Sequence, residues 1–378
     1  MSTDAALPPE AFAVALTAVP SMTLARLGAL LREHPPEEAW AVVRGEALPR
    51  GAAQRLIGDP KVSGALGREA LRVRPEALWQ RCLDVGATVL MVGSAEYPAL
   101  LAEDHEAPPV LFVRGSLGLL EGRRVAMVGT RNATAQGRQA ARAIAEGLGA
   151  AGVHVVSGLA RGIDGVAHRA VLGAGGPGRP IGVVATGLDV PYPPEHAELW
   201  AMVAEGGLLI SEVPPGTPPA AWRFPQRNRI VAALAEAVVV VESRERGGSL
   251  ITADAALERG VPLLAVPGSP ANRAAAGTNA LLRDGATPVT EAADVLTLLQ
   301  LDHSLAGVPH APEHRRRPRP EDLPVYRSIR EQPRTLEGVA IAAGLSLVDA
   351  AMGLGRLEAD GWVSRADGWF EAVGSPLR

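Results

Sequence analysis

"RRVAMVGTRNATAQGRQAARAIAEGLGAAGVHVVSG" (residues 123–158) passes from an apolar, strand-like run through a glycine-bearing loop into a helix-like stretch and out into a second strand-like run. That order is the strand–helix–strand unit of a parallel sheet, and it sets the fold class. The loop looks like the start of a dinucleotide site, yet its glycines are wrong for one. A G-x-G-x-x-G fingerprint lets the backbone close around a pyrophosphate. Here Gly129 is followed by Thr130 and Arg131, and the next glycine is Gly137. No Walker lysine is present, so neither a dinucleotide nor ATP is expected in the usual mode, and no cofactor is expected. Two readings of the loop stay open: a surface arginine beside a structural turn, or a turn at Gly129 that sets Arg131 over a helix N-terminus as an anion contact.

The same alternation recurs from about residue 84 to 302. "VHVVSG" precedes "DGVAHRAVLGAG", "PIGVVATG" precedes "EHAELWAMVAEG", and "GLLISE" precedes "QRNRIVAALAEA"; "AVVVVE" is followed by "SLITADAALERG", and "PLLAVPG" by "NALLRDGA". Strands apolar on both faces, alternating with amphipathic helices, predict an α/β fold whose parallel sheet is covered on both sides. "GAGGPGRP" (residues 173–180) reads as a surface connection within it. Residues 1–83 read instead as a small helical domain: "FAVALTAV", "TLARLGALLREH" with Thr23 or Ser21 as its cap, "EEAWAVVRG", and later "PEALWQRCLDVG". Prolines and arginines mark residues 303–320 as a linker. Beyond it, residues 321–378 read as three helices and a hairpin turning at Asp367-Gly368, with Ser346 and Asp349 at capping-box spacing. This is a winged-helix arrangement.

Composition narrows the function classes. Hydrophobic residues make up 47% of the 378 and charged residues 21%, as in a soluble globular protein. The formal net charge of −4 means that any nucleic-acid site must be a local patch on a slightly acidic body. Cys82 is the only cysteine, which leaves no disulfide framework or cysteine-based zinc site. Asp4 and Glu10 stand where a signal peptide would carry positive charge, and no apolar stretch reaches the roughly 20 residues a bilayer needs. A cytoplasmic protein without a membrane partner is expected. Lys61 is the only lysine, so almost all basic chemistry falls to arginine, which forks onto phosphates and stacks on planar bases.

In an open parallel sheet, ligands gather where strand C-termini meet helix N-termini. "GTRNATAQG" offers Gly129, Thr130 and Arg131 there. "SGLARGIDGVAHRA" places Gly158, Arg161 and Gly162 at the next junction, followed by Asp164 and His168, four apart and expected to share an internal hydrogen bond, the alternative being a metal pair that would need further ligands. "WRFPQRNRI" gathers Trp222, Phe224, Arg227, Asn228 and Arg229, suited to stacked bases and phosphates or, alternatively, to core packing with a solvated basic face. "ESRERGGSLITADAA" supplies Gly248 and Ser249 beside Arg246, and Ser249 could simply cap its helix. "TGLDVPYPPEH", with Asp189 and Tyr192, reads as a rigid turn. No catalytic triad, carboxylate pair or metal cluster is suggested by spacing. Repeated glycine-plus-arginine junctions along one sheet edge fit a polyanion better than one small ligand.

Together, "VGTRNATAQGR", "SGLARGIDGVAHRAVL", "ATGLDVPYPPEH", "FPQRNRIVAAL", "VVVVESRERGGSLITADAALERG", "AVPGSP" and "GTNALLRDGA" resemble the DprA/Smf family of bacterial DNA-processing proteins, as does the lead-in "YPALLAEDHEAPPVLFVRG". The resemblance implies an extended Rossmann-like core, commonly dimeric, that binds single-stranded DNA, protects incoming DNA and loads the RecA recombinase during natural transformation. It also implies a binding protein rather than an enzyme. The family's DNA-contacting arginine in its G-S-R loop falls on Arg131, its R-N-R segment on Arg227, Asn228 and Arg229 after Phe224, and its basic second-loop residue on Arg161. Thr130 replaces the usual serine and keeps the hydroxyl. "VPSMTL" replaces the glycine-bearing helix-hairpin-helix turn of many members, removing the phosphate nest from the N-terminal domain. The tail's third helix carries Asp349, Glu358 and Asp360 against Arg356, a poor face for a major groove, which points to a protein-contact module. The alternative function is a nucleotide-processing enzyme, since "RERGGSLIT" distantly resembles the phosphate loop of phosphoribohydrolases.

Overall fold

A computed structural model describes residues 6–301, 316–330, 332–366 and 368–373. Most of the expected linker and Asp367 of the expected turn lie outside the described residues. The chain divides into two compact units, Met1–His310 and Ala311–Arg378.

The first unit opens with six helices: α1 (Pro9–Thr17), α2 (Leu24–Glu33), α3 (Pro36–Arg44), α4 (Gly51–Ile57), α5 (Pro60–Ala70) and α6 (Pro75–Val85). Their starts follow from local chemistry. Proline opens α1, α3, α5 and α6, where a missing N–H leaves no donor unpaired. Thr23 caps α2 by accepting from the Arg26 N–H, and Asp59 caps α5 by accepting from Lys61 N–H at 2.8 Å. Ser21 instead donates to Glu69 at 2.6 Å, tying α2 to α5.

The α/β region follows: β1 (Thr88–Met91), α7 (Ala99–Ala102), β2 (Val110–Gly115), β3 (Arg124–Gly129), α8 (Ala135–Ala150), β4 (His154–Ser157), α9 (Ile163–Gly173), β5 (Pro180–Val184) and α10 (Ala197–Gly206). It continues with β6 (Leu208–Ser211), α11 (Arg223–Ala233), β7 (Ala237–Glu242), α12 (Gly248–Glu258), β8 (Leu263–Ala265), α13 (Ala276–Arg283), β9 (Thr287–Pro288) and α14 (Ala292–Leu298). The strands form one sheet in the order β1-β2-β6-β5-β4-β3-β7-β8-β9. From β6 to β9 all pairings are parallel, as the alternation predicts. At one edge β2 pairs antiparallel with β6, and β1 antiparallel with β2, an addition that the alternation does not reveal.

Side chains alternate strictly across this sheet, as the pleat requires. Ala126 and Val128 of β3 and Val238 and Val240 of β7 enter one apolar layer. Val125 and Met127, with Val239 and Val241, enter the opposite one. The N-terminal helices share a third layer with Val89, Phe112, Val184, Leu209 and Trp200, so they are packed on the sheet rather than appended to it. The order also fixes where a ligand can sit. From β3 the chain moves outward one way through β4, β5 and β6, then returns to place β7 on the other side of β3. The loops after β3 and β7 therefore diverge, opening a crevice at their carboxyl ends.

The second unit contains α15 (Leu323–Arg330), β10 (Arg334–Thr335), α16 (Leu336–Ala343), α17 (Leu347–Ala359), β11 (Val363–Ala366) and β12 (Trp369–Ala372). The strands pair antiparallel in the order β10-β12-β11, adding one short strand to the expected hairpin. Ser346 caps α17 through the Asp349 N–H at 3.1 Å, and Trp362 meets Tyr326 edge-on at 5.5 Å in the core. Among the described residues no single helix is long and apolar enough to cross a membrane.

Candidate nucleic-acid interface

At the crevice the first element is the loop from β3 to α8. Gly129 ends β3, and Thr130 N–H donates to the Glu242 carbonyl of β7 at 2.7 Å. The Glu242 carboxylate, buried at the top of β7, accepts from Thr134 N–H at 2.8 Å and from the Thr134 hydroxyl at 2.6 Å. Thr134 in turn caps α8 by accepting from Gly137 N–H at 3.0 Å. A side-chain carbon at Gly137 would fall 2.7 Å from the Glu242 carboxyl carbon, so glycine is what admits the carboxylate. The helix N-terminus that holds a pyrophosphate in dinucleotide-binding relatives of this fold is thus filled by the protein's own anion.

The loop from β4 to α9 crosses the first. Gly162 has φ +76°, and a side chain there would run into the carbonyls of Thr130 and Arg131. Leu159 beside it is left-handed at φ +54°, an uncommon backbone for leucine, and is held there with its side chain fully buried. This crossing keeps residues 130 and 131 at the surface. Arg131 is exposed, with its guanidinium 5.4 Å from the centre of the Phe224 ring. On Phe224 also rests Tyr192, at 5.2 Å and 37° between planes. The three residues come from the loops after β3 and β5 and from the start of α11.

Along α11 the expected contacts separate. At about 100° per residue, positions 227 and 229 face nearly opposite ways. Arg227 points inward at 4% exposure, donating to the carbonyls of Gly158 (2.8 Å) and Val183 and to Asn228 Oδ1 (3.2 Å). Burial pushes its pKa down to about 10, partly opposed by Asp164, so it stays charged but is used within the protein. Arg229 turns to the other side and pairs with Glu212 at 2.7 Å. The expected phosphate contacts at Arg227 and Arg229 are not presented at the rim in this structure: one is buried scaffold, and the other is mostly buried and paired with Glu212. Asn228 links α11 to α12 through the Gly248 carbonyl at 3.4 Å. Gly248 is exposed at the start of α12 with Arg244 and Arg246 on the preceding loop. Ser249 is a further correction: buried, it donates to Ser243 Oγ at 2.9 Å and offers nothing to a ligand.

Arg161 is exposed and paired with Glu195, which follows Tyr192 on the same segment. Their hydrogen bond and charge hold the Arg161 pKa above its usual value and that of Glu195 below. The expected Asp164–His168 hydrogen bond is not formed. Asp164 accepts from Gly158 N–H at 3.1 Å, while burial pushes the His168 pKa down to about 3. Among the described residues no metal-binding group of His, Cys, Asp and Glu gathers. In the second unit Arg356 is bound to Asp322 at 2.5 Å, and the exposed face of α17 carries Leu347, Val348 and Met352 instead of basic residues.

Of the residues singled out from sequence, Gly129, Thr130, Arg131, Gly162 and Phe224 converge, with Arg161 alongside and Gly158 beneath. Sequence reasoning missed Glu242, Glu195 and the stacking role of Tyr192. Trp222, 59% exposed, carries Arg223 over its ring at 4.7 Å. The arrangement is a rim of cations and ring faces, chemistry suited to phosphates and planar bases.

Comparison with known proteins bears on that rim. The DNA recombination-mediator protein A family matches residues 88–300. The chain is 37% identical to the Bacillus subtilis DNA processing protein DprA over 277 residues, covering 72% of this chain and 93% of that protein. It is 38% identical to the Escherichia coli protein Smf, covering 72% and 74%. The solved Streptococcus pneumoniae DNA processing protein A superposes with a TM-score of 0.66 at 31% identity, covering 76% of this chain and 97% of that one. A Helicobacter pylori DNA processing protein A, solved for its single-stranded DNA binding mode, superposes with a TM-score of 0.50 at 28% identity, covering 57% and 96%.

Proposed function

Because the chain belongs to the DNA recombination-mediator protein A family, we propose that it binds single-stranded DNA along the carboxyl edge of its sheet and passes that strand to the RecA recombinase. The observation that carries the reading is the Arg131–Phe224–Tyr192 stack: an exposed guanidinium and two ring faces supplied by three separate segments at the topological crevice. Backbone phosphates meet Arg131 and, further along, Arg244 and Arg246 beside the free start of α12. Bases stack on the Tyr192 and Phe224 edge. Thr130 and Gly162 shape the turn, while Gly158 and Arg227 hold it from below. In this reading the protein is a cytoplasmic binding protein, acts as a homodimer that extends the track, shields incoming DNA, and carries out no chemistry on it.

The test is a titration of labelled oligo-dT and of duplex across a salt series. Preferential binding of oligo-dT is expected, with each neutralised phosphate adding about −0.7 to the logarithmic salt slope. Equal affinity for duplex, or binding independent of Arg131, would refute it. RecA delivery is tested separately, by whether the protein shortens the lag of RecA filament growth on the same strand.

A further inference from the structure

Arg161 and Glu195 stand at one end of the same rim, with 60% and 47% of their side chains exposed. Arg161 precedes Gly162, whose backbone touches residues 130 and 131, and Glu195 lies three residues beyond Tyr192 of the stack. Two cations therefore sit on adjoining loops in different states. Arg131 forms no ion pair among those found in the described residues, whereas Arg161 already holds a carboxylate.

We propose that Glu195 is a built-in competitor for phosphate on Arg161 and that it selects for chains over single nucleotides. This rests on the single-stranded DNA reading above. A lone phosphate can be met by Arg131 but must displace Glu195 to gain Arg161. A strand anchored at Arg131 presents its next phosphates at high effective concentration, and the exchange then proceeds within the complex. The displaced carboxylate recovers its counterion, which offsets part of the ion release that a phosphate on Arg161 would otherwise give. Glu195 thus lowers both affinity and salt dependence, and weakens binding most for single nucleotides.

The experiment compares wild type, Glu195→Gln, Arg161→Ala and the double variant, with Arg131→Ala as a control. Each is titrated with thymidine monophosphate and with oligo-dT of about 16 nucleotides, the upper end of common single-strand site sizes. Glu195→Gln is expected to tighten the mononucleotide about fivefold and the oligonucleotide about twofold, the scale of an exposed ion pair. It should also steepen the salt slope by up to about 0.7. In the Arg161→Ala background that gain should vanish, because the carboxylate acts through Arg161. A gain that persists in full there would mean simple charge removal and overturns the proposal, as does an unchanged Glu195→Gln. Wild-type binding that depends on Arg131 but not on Glu195 defeats this proposal alone; absence of oligo-dT binding by the wild type defeats it together with the proposed function.

Discussion

Thr134 and Glu242 are 108 residues apart in sequence and joined twice in space, through the Thr134 N–H at 2.8 Å and its hydroxyl at 2.6 Å, both to the Glu242 carboxylate. The pair closes the start of α8 against β7 at the point where the sheet reverses its winding. A carboxylate there holds the N-cap residue and complements the dipole, so a ligand phosphate would meet a negative charge already at the helix start.

Glu242→Ala should destabilise the protein by about 3 kcal/mol, the scale of hydrogen bonds to a buried charge. It should also create an anion site. Millimolar inorganic phosphate is expected to raise the melting temperature of the variant more than that of wild type. Equal shifts in thermal melts would show that the carboxylate does not fill that position.

Arg131→Ala is expected to flatten the oligo-dT salt slope by about 0.7, and Phe224→Ala to weaken binding by about 1–3 kcal/mol with the slope unchanged. Arg229→Ala should leave the slope as it is and lower stability by about 2 kcal/mol, since it leaves Glu212 without its partner. Anisotropy titrations paired with urea melts separate the three.

Gly162→Ala forces a side chain into the Thr130 and Arg131 carbonyls at a left-handed backbone position. A stability loss of about 1–3 kcal/mol is expected. Oligo-dT binding should fall further than the unfolded fraction explains, because the collision displaces Arg131. Titration at a temperature where the variant remains folded checks this.

His168 gives a signature in pH. Its folded pKa of about 3 lies below the ordinary value near 6.5, so the unfolded chain takes up a proton that the native state refuses. Its contribution to stability is lost as pH falls below about 6.5 and levels off near 3. Between pH 7 and 5 the loss amounts to about 2 kcal/mol for one proton. His168→Gln should shed that dependence, read as the difference between the two proteins' denaturant midpoints at each pH.

How much of this could be read in the sequence depends on how local the cause was. Gly129, Thr130 and Arg131 were legible because a strand, a turn and a helix follow one another within a few residues. The helix caps at Thr23 and Ser346 were legible for the same reason. The fate of Arg227 and Arg229 was not. Both are arginines in one short motif, and only the phase of α11 against the sheet sends one inward and the other to Glu212. Glu242 reads as the polar end of an apolar strand, and its partner lies far away in sequence. The antiparallel edge was hidden similarly: "VLFVRG" is an ordinary strand, and nothing local says that β2 pairs with β6. Tyr192 was masked by the prolines around it, which signal a turn but not what the turn presents.

The contacts of Arg131 and Tyr192 with Phe224 have a consequence in time. The rings and the guanidinium are already gathered in the free protein, so an arriving strand does not have to order them, and that entropy is lost during folding instead. Encounter is then governed by diffusion and charge, and the lifetime of the complex by how readily each base leaves its ring.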